Sequence, residues 1–172
     1  MTGRRLFWIA APLLALALAG QLLRARDLLE ARRVLRQVEQ MSVVAVTSGR
    51  PAAAVAPLYW AHVKLLQRAE DLDPADARLP LARGSQYLLL GRAQEAVAAY
   101  REALAIEPRP EIYLNLGRAQ LGAGDREAAR ESFRRALALD PFLREDVPPE
   151  MVPDHLRPRP GRPTPAGPRS TR

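Results

Sequence analysis

Few side chains in this chain are equipped for chemistry. There is no cysteine, which removes a thiolate nucleophile, a thiolate metal site, a disulfide scaffold and the acylated cysteine of a lipoprotein. The two histidines, His62 and His155, give a histidine metal site or a catalytic triad little material. His62 falls in a helical stretch beside Tyr59 and Leu66, where a packed imidazole is the simplest reading. Asp71, Asp73 and Asp76 form a cluster of carboxylates, but around Pro74 they read as a helix end and turn, not as an acid–base pair. Gly122 and Gly124 close a helical pattern instead of opening one, so they do not make a phosphate-cradling loop. Neither catalysis nor a bound cofactor or metal is expected. The residues that matter are those that shape a surface for binding.

The elements that would position such a surface fit within 172 residues, enough for one domain with tails or a short repeat array. The formal net charge of +7 divides unevenly. Residues 1–40 carry seven arginines against three acids, residues 155–172 carry five arginines and no acid, and the stretch between is slightly acidic. The basicity belongs to the two ends, so no specific nucleic-acid partner is expected for the body. Nine of the sixteen prolines lie between Pro141 and Pro168, which makes the proline excess local.

After a short tail of residues 1–5, Leu6 to Leu23 is an apolar run with Gln21 as its only strongly polar side chain. As a helix it would extend about 27 Å, close to the thickness of a bilayer's hydrocarbon core. Trp8 and the flanking Arg4, Arg5, Arg24 and Arg26 suit the membrane interfaces. A transmembrane anchor over residues 6–23, contacting the lipid bilayer, is therefore expected. The competing reading is a cleaved secretory signal ending near Ala17-Leu18-Ala19, which would release a soluble exported protein. Arg24 and Arg26, directly after the run, argue against export. The larger arginine count after the run tilts the body toward the cytoplasm. Residues 24–74 read as a helix leaving the membrane, a break at Ser48-Gly49-Arg50-Pro51, and a second helix from Ala53 to Leu72.

The strongest signal is internal similarity. Ala69 to Pro74, Ala103 to Pro108 and Ala136 to Pro141 repeat one pattern, with their prolines 34 and 33 residues apart. Such a period marks stacked helical hairpins that cannot bury their apolar faces alone. Residues 77–110 carry Gly84, Tyr87, Gly91, Ala96, Tyr100, Ala103 and Pro108; residues 110–143 carry Tyr113, Leu116, Gly117, Gly124, Ala129, Phe133, Ala136 and Pro141. Gly84 and Gly117 would let two helices approach closely. The alanines are small for the same reason, and Tyr100 and Phe133 fill the space left. Gly91 and Gly124 suit the left-handed end of a helix, and the prolines stop the next one.

At these residues the chain resembles the tetratricopeptide repeat family and, with its greasy leader, a bacterial member held to a membrane. The departures are Pro80 and Arg83, in place of a large aromatic and a leucine, and Gln120, again in place of an aromatic. Residues 28–74 match only at Ala69 and Asp73-Pro74, a degenerate hairpin. The resemblance implies an all-α fold: a short solenoid of antiparallel helical hairpins, preceded here by the transmembrane helix. It further implies a concave groove lined by the first helix of each hairpin, here Arg78, Leu81, Ser85, Leu88, Glu111, Leu114, Arg118 and Leu121. That mostly leucine stripe suits a peptide or helix of another protein. Leu81 and Ser85 stand where some members clamp a terminal carboxylate, so that use is not expected. The groove could instead be filled by a second copy, making a homo-oligomer, or by Phe142 to Leu156 folding back. Phe142 and Leu143 are expected to help cap the last hairpin. Residues 144–172 read as a disordered tail rich in proline and arginine.

Overall fold

The computed structural model describes the backbone of residues 2–154 and the side chains of residues 14–154. Among these the chain is all helix: α1 (Thr2–Thr47), α2 (Ala52–Leu72), α3 (Arg78–Leu89), α4 (Ala93–Ile106), α5 (Pro110–Gly122) and α6 (Arg126–Leu139). Two short 3-10 turns follow, Pro141–Asp146 and Pro149–Met151. The chain divides into two compact units, Met1–Pro108 and Arg109–Arg172.

The helix boundaries follow from local chemistry. At the end of α1, Ser48 Oγ donates to the carbonyl of Ala45 at 2.7 Å, satisfying one of the carbonyls that the helix leaves open, and Thr47 Oγ1 donates to that of Val43 at 2.8 Å. Pro110 opens α5, where a missing N–H is harmless. Asp125 caps α6 by accepting the N–H of Ala128 at 3.0 Å. Helices α3 and α5 end alike, on Gly91 at φ 71° and Gly124 at φ 85°. The next N–H then reaches back across the end: Arg92 to the carbonyl of Tyr87 at 2.8 Å, and Asp125 to that of Gln120 at 2.9 Å. Only glycine takes that left-handed turn without strain.

In the first unit, the last two-fifths of α1 pairs antiparallel with α2. Ala45 meets Val55 and Tyr59 at the tip, while Ala31, Leu35 and Val38 meet Leu66, Ala69 and, from α3, Leu79. Helices α3 and α4 form the next hairpin, locked where Gly84 lies under the fully buried ring of Tyr100. A Cβ built on Gly84 would sit 2.6 Å from that ring. The second unit repeats the lock between α5 and α6, with Gly117 under Phe133 at 2.7 Å. The four alanines 96, 103, 129 and 136 are fully buried beside these rings.

Residues 144–154 are ordered, in contrast to the structureless tail expected from residue 144 onward. Val147, Met151 and Val152 are buried in one cluster with Leu114, Ala129, Phe133, Ala136 and Leu137. The physical reason is that Val147, Met151 and Val152 find an apolar face, formed by Leu114, Phe133 and Leu137, on which all three can be buried together. Leu143 packs on the same cluster, but Phe142, expected to join it, is 90% exposed. Residues 155–172, with His155 and the arginine–proline run, lie outside the described residues.

The apolar run at residues 6–23 is helical within α1, but the side chains of its first eight residues are outside those described. Among the described residues no helix is long and apolar enough to cross a membrane.

Candidate protein-interaction surface

The expected groove residues fall four to each unit. On α3, Arg78, Leu81, Ser85 and Leu88 recur at intervals of three and four, which places them on one stripe. Arg78 is exposed and grips Asp76 through Nε at 2.8 Å and Nη2 at 2.6 Å. That hydrogen bond is the main reason the Asp76 carboxyl is held below its usual pKa, with burial working the other way. Leu81, Ser85 and Leu88 are each half-buried. Ser85 Oγ donates to the Leu81 carbonyl at 3.2 Å and lies 3.2 Å from the Tyr100 hydroxyl, which ties the stripe to the ring that locks α4.

The matching stripe on α5 is occupied differently. Glu111 pairs with Arg109 at 2.6 Å. Leu114 is only 5% exposed, enclosed with Val147, Met151 and Val152, and Leu121 packs on that cluster. Arg118 remains exposed; its Nη2 donates to the Asp146 backbone oxygen at 3.1 Å and lies 3.4 Å from the Asp146 carboxylate. The chain's own segment after α6 thus holds much of the second stripe.

Three polar arrangements stand behind these surfaces. Arg83 is buried and bridges three helices, pairing with Glu70 of α2 at 2.8 Å and with Glu102 of α4. Burial works to lower the Arg83 pKa, and its hydrogen bonds and charge contacts with the two glutamates outweigh that and raise it. His62 is buried where α1, α2 and α3 meet; its Nδ1 lies 3.1 Å from Gln86 Oε1 and 3.4 Å from Ser42 Oγ. Its Nε2 is buried without a hydrogen-bond partner. In the second unit Ser132 Oγ donates to Gln120 Oε1 at 2.6 Å within the buried interface of the hairpin.

The remaining repeat residues take supporting places. Tyr87 meets Trp60 edge to face with centroids 6.2 Å apart, and Tyr113 lies under the Arg135 guanidinium at 5.9 Å. Pro108 follows the end of α4, and Pro141 opens the first 3-10 turn. Asp71, Asp73 and Asp76 surround the turn between α2 and α3. Among the described residues no group of three or more His, Cys, Asp or Glu side chains could hold a metal ion. Sequence reasoning noted Arg83 only as a departure; the signal it missed was the pair of glutamates at residues 70 and 102, which only the packing brings to it.

These hairpins, each a glycine under an aromatic ring and ended by a left-handed glycine, define an all-α helical repeat protein. The Tetratricopeptide repeat family models match residues 81–110 and 110–143, and these two segments are tetratricopeptide repeats. Among solved structures, the chain is similar to the first TPR domain of human RPAP3 at 20% identity and a TM-score of 0.55, over 65% of this chain and 80% of that one. The Arabidopsis OM64 TPR domain is similar at 21% identity and a TM-score of 0.55, over 67% of this chain and 87% of that one. A thermophilic TPR protein of Thermus thermophilus shares 27% identity with a TM-score of 0.50, over 79% of this chain and 73% of that one. No curated protein matches the chain.

Proposed function

We propose that this chain is a single-pass membrane protein whose repeats hold a segment of another protein, acting as an adaptor or assembly factor. Tetratricopeptide repeats are protein-interaction modules, and the α3 stripe is the observation that carries this reading. Leu81, Ser85 and Leu88 are left partly open beside an exposed Arg78, whereas Leu114 on the second stripe is covered by the chain itself. A leucine row edged by a cation suits an amphipathic helix or an extended apolar peptide with an acidic residue. The binding energy would come mainly from desolvating the leucines, and Arg78 would set the direction of the bound segment.

The anchor is supported by Leu14, Leu16, Leu18, Leu22 and Leu23, which are 53–74% exposed on α1. At 100° per residue they spread over about 200° of the helix, and the exposed Ala17 falls in the gap they leave, an arrangement that suits surrounding lipid better than one partner face. The arginines following the run favour a cytoplasmic body.

The test is a photocrosslinking residue at Leu81 of the full-length protein in native membranes. It should capture a different protein, and adding Leu88→Glu should abolish the capture. Capture of nothing, or capture unaffected by the second substitution, would overturn use of the groove. Independently, alkaline washing should leave the protein in the membrane pellet, and release with residues 1–23 intact would remove the anchor from the proposal.

A further inference from the structure

Two features at opposite ends of the chain's order are unused by the groove. The first is a cavity of about 330 Å³ at the tip of the α1–α2 hairpin, lined by Met41, Val44, Ala45, Val55 and Leu58 together with the polar Gln40, Ser48 and Arg50. Its volume is at the low end of the range for small-ligand sites, about 300–1,000 Å³, and it has room for an aromatic ring. Its walls are mostly apolar and its neighbourhood is open: Val43, Val44 and Val46 are all more than half exposed.

The second is Phe142. An aromatic ring 90% exposed is unusual, and this one is held in place. Asp140 Oδ1 accepts the Phe142 N–H at 2.9 Å, and the next side chain, Leu143, is packed into the second unit's core. The ring is therefore presented on a fixed backbone, so seating it in a pocket costs little ordering. Phe142 lies in a 3-10 turn, where side chains three residues apart eclipse, so the exposed Glu145 stands on the same side. An aromatic knob with a carboxylate beside it complements an apolar hole with a guanidinium beside it.

We infer that copies of this chain associate head to tail, with Phe142 of one seated in the α1–α2 cavity of the next and its Glu145 paired with Arg50 there. Because knob and hole are different surfaces, the contact is heterologous and repeats until a ring closes or a filament grows. It uses no residue of the α3 stripe, so it stands or falls apart from the groove.

The experiment is sedimentation velocity on the full-length chain in detergent, with helicity followed by circular dichroism. The substituted side chains are exposed, so helicity should not change. The wild type should form species whose protein mass grows with concentration. Phe142→Ala should weaken association about thirtyfold or more, the usual consequence of losing a central aromatic anchor, and Arg50→Glu should weaken it by a similar factor because it sets a like charge against Glu145. Each variant keeps one half of the contact. An equal mixture should therefore give a dimer that grows no further, and Arg50→Glu combined with Glu145→Arg should restore growth. A wild type that stays monomeric overturns the inference, as does association that survives Phe142→Ala, which assigns it to the leader or the groove. Failure of the two variants to complement also overturns it, because the knob would then dock elsewhere.

Discussion

The two repeat hairpins share one lock and differ in nearly everything polar around it. In both, a glycine on the first helix admits the aromatic ring of the second, Gly84 under Tyr100 and Gly117 under Phe133. Around the α3–α4 lock the polar groups reach outward to a neighbouring helix. Arg83 takes Glu70 from α2, and Tyr87 leans on Trp60 of α2. Around the α5–α6 lock the buried polar pair, Gln120 with Ser132, stays inside the hairpin, and the apolar exterior is closed by Val147, Met151 and Val152. The difference teaches that the small and aromatic positions make a hairpin, while the departures from the repeat pattern record what each hairpin packs against. A hairpin with a helix beside it can spend a leucine position on a bridging arginine. One finished by its own tail uses an internal hydrogen bond and a short apolar segment.

The sharpest challenge to that view is to remove the shared lock. Phe133→Ala and Tyr100→Ala should each cost about 3–5 kcal/mol, the range for truncating a large buried ring. Urea unfolding of the full-length chain in detergent should show similar losses at the two sites. A loss at one site below half of that at the other would mean the lock is not equivalent in the two hairpins. Next comes the feature that only the second hairpin has. Met151 is 1% exposed, so Met151→Ala should cost about 2–5 kcal/mol. Hydrogen exchange should localise the effect to α5, α6 and the 3-10 turns. Exchange unchanged in α5 would show that the segment decorates the hairpin and does not complete it.

The bridging arginine should matter less than its burial suggests. Breaking a fully buried ion pair costs about 3–5 kcal/mol, but Glu70 and Glu102 keep 22% and 56% of their side-chain surface and can rehydrate. Arg83→Met should therefore cost about 1–2 kcal/mol, and Glu102→Gln under about 1 kcal/mol, because the more exposed arm is screened. Equal losses in the two variants, measured by urea unfolding, would mean that Glu102 carries the bridge.

Much of this could be read from residue order, and the remainder could not for definite reasons. Gly84, Tyr100, Gly117 and Phe133 were legible as a close-packed pair because glycine, alanine and aromatic recur at a fixed interval. The left-handed ends at Gly91 and Gly124 were legible because no other residue suits them. Val147, Met151 and Val152 were not, since three apolar residues among four prolines have no helical period, and only the apolar face of Leu114 and Leu137, which they bury, gives them a place to pack. Arg83 looked like a defect because its partners come from two other helices. For the expected groove stripe, spacing showed which residues share a face of α5. It could not show that Leu114 is covered, because that depends on the direction taken by the chain after Pro141.

The smallest expected effect lies at the start of α3, which begins the open stripe. Asp76 is bound by Arg78, which lowers its pKa in the folded chain relative to the unfolded one. A carboxylate whose pKa is depressed by folding stabilises the fold at pH values above its unfolded pKa of about 3.9, and that contribution disappears as pH falls through the lower folded value. Comparing the wild type with Asp76→Asn by urea unfolding should show a difference of up to about 1 kcal/mol at neutral pH, the range for a partly solvated pair. The difference should shrink steadily in acid, with Arg78 charged throughout. A gap for Asp76→Asn that is constant with pH would mean that the residue acts through its hydrogen bond to the Arg78 backbone N–H alone, which asparagine can replace only in part, and not through its charge.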